Sequence, residues 1–329
     1  MDQGITDAEG YKSFRSPGYN YHFNKGNGLF VRWGETIEDD PQWSPYGPEI
    51  ADIEISAGSC SGGCPWCYKS NGSEQGKHMT LAQLKNVLDA LPNTITQVAF
   101  GITDADANPD FVAMLEACRE QGIIPNYTTS GFGLTPEIER ATARLCGAVA
   151  VSVYPHNREV AWDTVHRFVG LGMDQVNVHL LYYDANREFV KSVLREAVDV
   201  DGLNAVVLLG LKPKGGADGW KPMGQQAFSE LVDSTEVRIG FDSCSAPKFE
   251  RWAVERGRHD LLTFSEPCES TLFSIYINVD GKALPCSFAE GCGEPVDVED
   301  AWTSPQFESF RNRLWENQRR CPLYDLNGE

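Results

Sequence analysis

No apolar stretch in the 329 residues reaches the roughly 18 to 20 residues that a helix needs to cross a bilayer. The N-terminal segment, MDQGITDAEG, lacks the basic-then-apolar pattern of a secretory signal. The expectation is therefore a cytoplasmic protein with no membrane partner. Basic residues are also scarce, with 28 Lys and Arg against 47 Asp and Glu, for a formal charge of −19. Such a field repels polyanions, so long nucleic acid is not an expected partner. Solubility alone accounts for the excess acid, and a neutral or cationic substrate is compatible with it. Internal repeats and low-complexity segments are missing as well.

Cysteine, by contrast, is plentiful, with ten in the chain. Disulfides are rare in a reducing compartment, which makes metal binding the first hypothesis. Cys118 and Cys146 fall in apolar, helix-like patterns and read as inert core residues. The others form an N-terminal group, Cys60, Cys64 and Cys67, and a C-terminal set, Cys244, Cys268, Cys286, Cys292 and Cys321.

Between these groups the chain alternates. Strand-like runs fall near 50–56, 96–102, 125–130, 148–154, 175–182 and 205–211, and amphipathic helical runs near 80–91, 109–121, 136–145, 158–171, 186–198 and 224–234. Thr80 with Gln83 has capping-box spacing, and Thr135-Pro136-Glu137 reads as an N-cap, a proline at the first helical position and an acid in the first turn. Six β-then-α units imply a parallel sheet with right-handed crossovers. Periodicity leaves open whether the sheet is a partial (β/α)6 barrel or doubly wound. Before it, Tyr19–Phe23 and Leu29–Trp33 around a Gly-rich turn read as a β-hairpin. After about residue 240, short strands at 272–278 and 282–285 flank Asp280-Gly281, and a helix near 304–319 precedes Cys321.

The triad reads Cys60-Ser-Gly-Gly-Cys64-Pro-Trp-Cys67 and follows directly on the first strand. Glycines let the backbone approach the sulfurs and donate N–H bonds to them. Three thiolates suit a four-iron cubane with one iron left open. A structural zinc site generally wants four protein ligands in paired knuckles, and no second knuckle lies near.

With Trp66 just before the last cysteine, this C-x3-C-x2-C run resembles the signature of the radical S-adenosylmethionine (SAM) superfamily. The resemblance covers roughly residues 50–235. It implies a partial TIM-type (β/α)6 barrel with its active site at the carboxyl ends of the strands. It further implies a [4Fe-4S] cluster whose open iron is chelated by the SAM amino and carboxylate groups. Reductive cleavage of SAM would then yield a 5′-deoxyadenosyl radical that abstracts a substrate hydrogen.

Phe100–Pro109 (FGITDADANP) stands where members carry a Gly-Gly-Glu-Pro-like segment that binds the SAM amino group. It lacks the glycine pair, so the resemblance nominates Asp104, with Thr103 and Gly101 as contributors, against a helix-capping loop. Ser130 at the third strand's end and Ser152 on the fourth are further SAM-contact candidates. Asn177 and His179 share a barrel-facing parity; His179 is a candidate for substrate chemistry or a hydrogen-bonded core residue. Lys212 and Lys214 are candidates for an anionic group, or else solvated loop lysines. Tyr68 and Lys69 are placed to pack over SAM but receive no role.

The spacing Cys268-x12-Gly281-x4-Cys286 resembles the SPASM and Twitch extensions of that superfamily. It implies a second, auxiliary [4Fe-4S] cluster held by Cys268, Cys286 and Cys321, with Cys244, Cys292 or no residue as the fourth ligand. The expected architecture is thus α/β, with a β-hairpin extension over 1–48, the partial barrel over 49–238 and a small α+β auxiliary-cluster domain over 239–329. The expected activity is that of a radical SAM enzyme on a small molecule, nucleoside or peptide, served by a flavodoxin- or ferredoxin-type reductant. A peptide-modifying (RiPP-type) maturase is the narrower alternative, and a non-catalytic iron–sulfur or zinc module the alternative class. The 48-residue lead segment is too short for a winged-helix recognition domain.

Overall fold

The strand order of the main sheet decides between the two architectures that periodicity leaves open. In the computed structural model, which describes residues 4–72 and 75–326, strands β5 (Ile50–Glu54), β8 (Gln97–Gly101), β9 (Ile124–Thr129), β10 (Val149–Ser152), β11 (Val176–Tyr182), β12 (Ala205–Gly210) and β13 (Ile239–Phe241) lie side by side in that order. All of these pairs are parallel. The order never reverses. Right-handed crossovers therefore carry every intervening helix to the same face, whereas a doubly wound sheet reverses at a switch point. The result is a partial barrel with its helices outside.

Those helices are α1 (Leu81–Ala90), α2 (Phe111–Glu120), α3 (Pro136–Leu145), α4 (Arg158–Gly170), α5 (Arg187–Ala197) and α6 (Gln225–Asp233). Their starts follow from local chemistry. Thr80 and Gln83 form the expected capping box on α1, and the Thr135 hydroxyl caps α3 with Pro136 in its first turn. Strand periodicity of two sorts the side chains. On β11, Val176, Val178, Leu180 and Tyr182 are at most 1% exposed and pack under the helices. Asn177, His179 and Leu181 alternate with them and face the barrel interior, half-buried.

The N-terminal segment is more than the expected hairpin. β3 (Tyr19–Asn24) and β4 (Phe30–Trp33) form that hairpin, but β1 (Gly4–Asp7) and β2 (Tyr11–Ser16) extend it to a four-stranded antiparallel sheet. β1 is wholly exposed, and β2 buries Lys12, Ser13 and Ser16, so neither carries the apolar alternation that marks a strand. The Lys12 ammonium compensates its burial by donating to the Ile95 carbonyl at 2.6 Å. Phe14, Tyr19 and Tyr21 of this sheet pack with Leu272, Phe273, Phe310 and Leu314.

The C-terminal region also departs from expectation. Its hairpin, β14 (Ser274–Ile277) and β15 (Ala283–Leu284), joins the barrel sheet rather than forming one of its own. β14 runs parallel to β5 on the side away from β8, so β13 and β15 are the two sheet edges. A helix not anticipated from the sequence, α7 (Ala246–Glu255), follows β13, and α8 (Val298–Ala301) and α9 (Pro305–Glu316) follow the hairpin.

Candidate active site

The triad loop leaves the carboxyl end of β5 through a two-residue ladder of β6 (Ser56–Ala57) and β7 (Lys77–His78). Backbone bonds from Gly72 N to Gly58 O and from Cys60 N to Gly72 O, at 2.8 and 2.9 Å, close the loop's base. Within it, Gly63 takes a positive φ of 53°. A Cβ on Gly62 would stand 3.3 Å from the Cys60 Sγ and 3.6 Å from that of Cys64, so the backbone here lies against the sulfurs. Amides of Gly62 and Gly63 donate toward Cys60, as a cluster loop requires.

All three cysteines are half-buried. Burial first, then the neighbouring thiolates, pushes Cys64 up to about 12, and burial also raises Cys60. Thiolates crowded together without a counter-cation fit a cationic metal core. Three side chains drawn onto one ion, as a zinc site needs, are not found among the described residues; a cubane's ligands instead bind separate irons. Buried polar atoms at the carboxyl rim also lack partners: Thr103 Oγ1 and Ser130 Oγ. Orphaned donors and acceptors beside the triad suit a polar cofactor such as SAM.

Asp104 lies beside the triad loop, at the end of β8. Its carboxylate accepts from Ser61 N at 3.0–3.1 Å and from Ser61 Oγ at 2.6 Å, which ties the triad loop to the end of β8. Charge-assisted bonds at an exposed site contribute about 1 kcal/mol. Asp104→Ala should therefore speed iron loss to a chelator several-fold without changing the circular dichroism of the fold; an unchanged rate would remove this role. Gly101 lies against Glu54, 3.4 Å from its Cα to a built Cβ, and Thr103 is buried. Asn157, which the sequence reading missed, donates to the carbonyls of Ser130 and Ser152 at 2.8 and 2.9 Å and so clamps two strand ends. The side chain of Ser152 serves Tyr154.

Around Trp66 stand Tyr154, His156, Tyr183 and Trp220, with ring centroids 5.3, 6.0, 6.2 and 6.0 Å away. His156 Nε2 also lies 3.7 Å from the Cys64 Sγ. These rings come from the three loops that follow β10, β11 and β12, so apart from the pair Tyr154 and His156 no sequence spacing relates them.

The lysines are committed elsewhere. Lys212 is ion-paired with Asp242 in a buried site, and is not free to hold an anion there. Lys214, half-buried, donates to the carbonyls of Phe288 and Glu290 at 3.0 and 2.7 Å, so it is tied to that turn. Lys69 pairs with Glu54 at 3.0 Å and with Glu290, and donates to the Tyr276 hydroxyl at 2.7 Å. Tyr68 packs on Phe288 at 4.4 Å. The residues just after the triad thus join it to the C-terminal hairpin. His179 is bonded to Thr128 Oγ1 at 3.2 Å, and burial holds its pKa down to about 4, which keeps it neutral at pH 7.

In the C-terminal set, Cys244 precedes α7, Cys268 precedes β14, Cys286 follows β15 and Cys321 follows α9. Every pair among these four is close enough for one thiolate to perturb the other. Burial raises Cys244 to about 12 and Cys268 well above its ordinary value. Cys292 is exposed and is hydrogen-bonded to Tyr324, which Cys321 and Cys286 also approach. Cys118 and Cys146 are buried in the helical layer, as their apolar surroundings predict.

Comparison with known proteins gives one family and one fold. Residues 55–197 match the radical SAM superfamily. No curated protein gives a significant sequence match. Among solved structures, Streptococcus suis SuiB bound to S-adenosylmethionine superposes with a TM-score of 0.72 at 12% identity, covering 94% of this chain and 90% of that one. SuiB bound to its precursor peptide SuiA gives 0.70 at 12%, with coverages of 94% and 90%. The enzyme anSMEcpe with bound AdoMet and the Cp18Cys peptide gives 0.61 at 12%, covering 84% and 88%.

Proposed function

With residues 55–197 forming a radical SAM domain, we propose that this enzyme holds a [4Fe-4S] cluster on Cys60, Cys64 and Cys67 and acts on a peptide. The observation that carries the reading is the triad's place, on a glycine-lined loop at the carboxyl end of β5 in a parallel barrel. When bound, the cluster and SAM supply reductive cleavage to a 5′-deoxyadenosyl radical that takes a hydrogen from the substrate.

The chain's own residues do the rest. Gly62 and Gly63 amides face the Cys60 sulfur, and Asp104 holds the loop through Ser61. Thr103 and Ser130 offer their unpartnered polar atoms to SAM, with Gly101 and Ser152 lining the same rim. His179, neutral and hydrogen-bonded, lines the interior where substrate would sit. A peptide substrate is favoured because SuiB and anSMEcpe, which share this fold, were captured with peptides. A cytoplasmic setting with a flavodoxin- or ferredoxin-type reductant agrees with ten free cysteines and with the finding that no described helix is long and apolar enough to cross a membrane. The test is anaerobic reconstitution. The protein should turn brown and convert SAM plus reductant to 5′-deoxyadenosine; a colourless protein, or one that leaves SAM intact, rejects the reading.

We further assign Cys244 as the fourth ligand beside Cys268, Cys286 and Cys321 of an auxiliary [4Fe-4S] cluster, because it lies near all three and Cys292 is exposed. Two such clusters bring about eight irons per chain. Cys244→Ala should lower the count to about four, whereas Cys292→Ala should leave it unchanged. The opposite pattern would exchange the two assignments.

A further inference from the structure

The barrel interior holds a carboxylate that nothing in the fold uses. On β5, Ala51 and Ile53 are fully buried under the helices, so Asp52 and Glu54 face the lumen. Glu54 is satisfied: it pairs with Lys69 and accepts from the Tyr276 hydroxyl at 3.1 Å. His179 is bonded to Thr128. Among the described residues Asp52 makes neither a hydrogen bond nor an ion pair, and burial is the sole influence on its carboxyl, which it raises to about 6. Its neighbours in register are Ala99 on β8, which has no polar atom to offer, and Tyr276 on β14, whose hydroxyl is turned to Glu54 and Lys69.

Position adds to chemistry. Asp52 lies two residues, roughly 7 Å of strand, below Glu54 and hence below the rim from which the triad loop departs. It still acts on the phenol of Tyr68, the residue that follows Cys67. Asp52 is exposed, so its side chain opens to the lumen, and the surrounding strand wall opposes its charge only in part. An ionised carboxylate in such a place is costly when a ligand displaces water, unless the ligand brings a cation. No fixed positive charge competes for it, since Lys69 and Lys212 are paired and His179 is neutral.

We propose that Asp52 is the subsite for a cationic group of the substrate, a primary ammonium or a guanidinium, held beneath the triad. This rests on the radical SAM reading for the identity of the lumen as the substrate chamber. A peptide entering it would present a lysine or arginine side chain, or its amino terminus, to Asp52.

The test uses reconstituted, SAM-loaded holoenzyme titrated calorimetrically with n-butylammonium and n-butylguanidinium chloride, and with 1-butanol as the neutral control. The cations should bind at least tenfold more tightly than butanol. Asp52→Asn should erase that preference and Asp52→Glu should retain it. Removing an unpartnered charge should not lower Tm, so Asp52→Asn should melt no earlier than the parent. Cations that bind no better than butanol, a preference that survives Asp52→Asn or is lost in Asp52→Glu, or a lowered Tm would each overturn the assignment. A parent protein without iron or SAM cleavage would overturn the radical SAM reading instead, and the iron assay distinguishes the two failures.

Discussion

Cys60→Ala, Cys64→Ala and Cys67→Ala should each abolish 5′-deoxyadenosine formation and remove about four irons per chain, while the protein keeps its melting temperature. The separation of the two effects follows from where the triad sits. None of the three side chains belongs to the apolar core, and the loop is fastened through its backbone, by Gly58, Gly72 and the amide of Ser61. Truncating a thiol therefore costs a ligand but little packing. Cys118→Ala and Cys146→Ala give the reverse result, because both thiols are buried among helices. Each should lower stability by roughly 1 kcal/mol or more and leave iron and product intact. Iron analysis, thermal melting and chromatography of the nucleoside product read all five variants. A triad variant that still cleaves SAM would end the assignment.

A large, though incomplete, loss is expected from Gly216, which is not a cluster ligand. The segment after β12 runs directly over the triad loop, and Gly216 donates its amide to the Cys67 carbonyl at 2.9 Å. A Cβ on Gly216 would stand 2.5 Å from the Pro65 carbonyl oxygen and 3.2 Å from the Cys67 amide nitrogen. Both are backbone atoms that cannot rotate aside, so Gly216→Ala must shift the loop. A ligand set held to sub-ångström tolerance should respond with at least tenfold less 5′-deoxyadenosine and a lower iron content. Gly219→Ala is the control. Its φ of 77° strains an added side chain, but it has open space around it, so it should cost about 1 kcal/mol and no activity. Equal activity in the two variants would show that the close approach at Gly216 does not position the triad.

What the sequence disclosed was what local periodicity and spacing encode. The strands and crossover helices from β5 to α6 fall where apolar alternation places them, and the triad is contiguous. What it concealed depends on contacts between distant segments. The parallel pairing of β14 with β5 joins residues more than 200 positions apart. Asp104 was nominated for SAM from its place after β8, but only the folded loop brings Ser61 to its carboxylate. Lys214 reads as a free cation in a Gly-rich loop until the turn at 287–290 is set against it. The choice between Cys244 and Cys292 is likewise three-dimensional, since each has a plausible neighbourhood in sequence. β1 and β2 are hidden for another reason: their pairing is satisfied by main-chain bonds, while Phe14 is the one apolar side chain they bury.

The adjacency of β5 and β14 fixes a length. The triad hangs from the end of one strand, and Cys268 and Cys286 flank the hairpin whose first strand is its hydrogen-bonded neighbour, about 4.8 Å away. Lys69 and Tyr68 fasten the same junction by side chains. The separation between the two cysteine groups is thus a property of one continuous sheet rather than of a linker between bodies. Main-chain hydrogen bonds between β5 and β14 set that separation, and the opposite sheet edge, β13, lies six strands from β5.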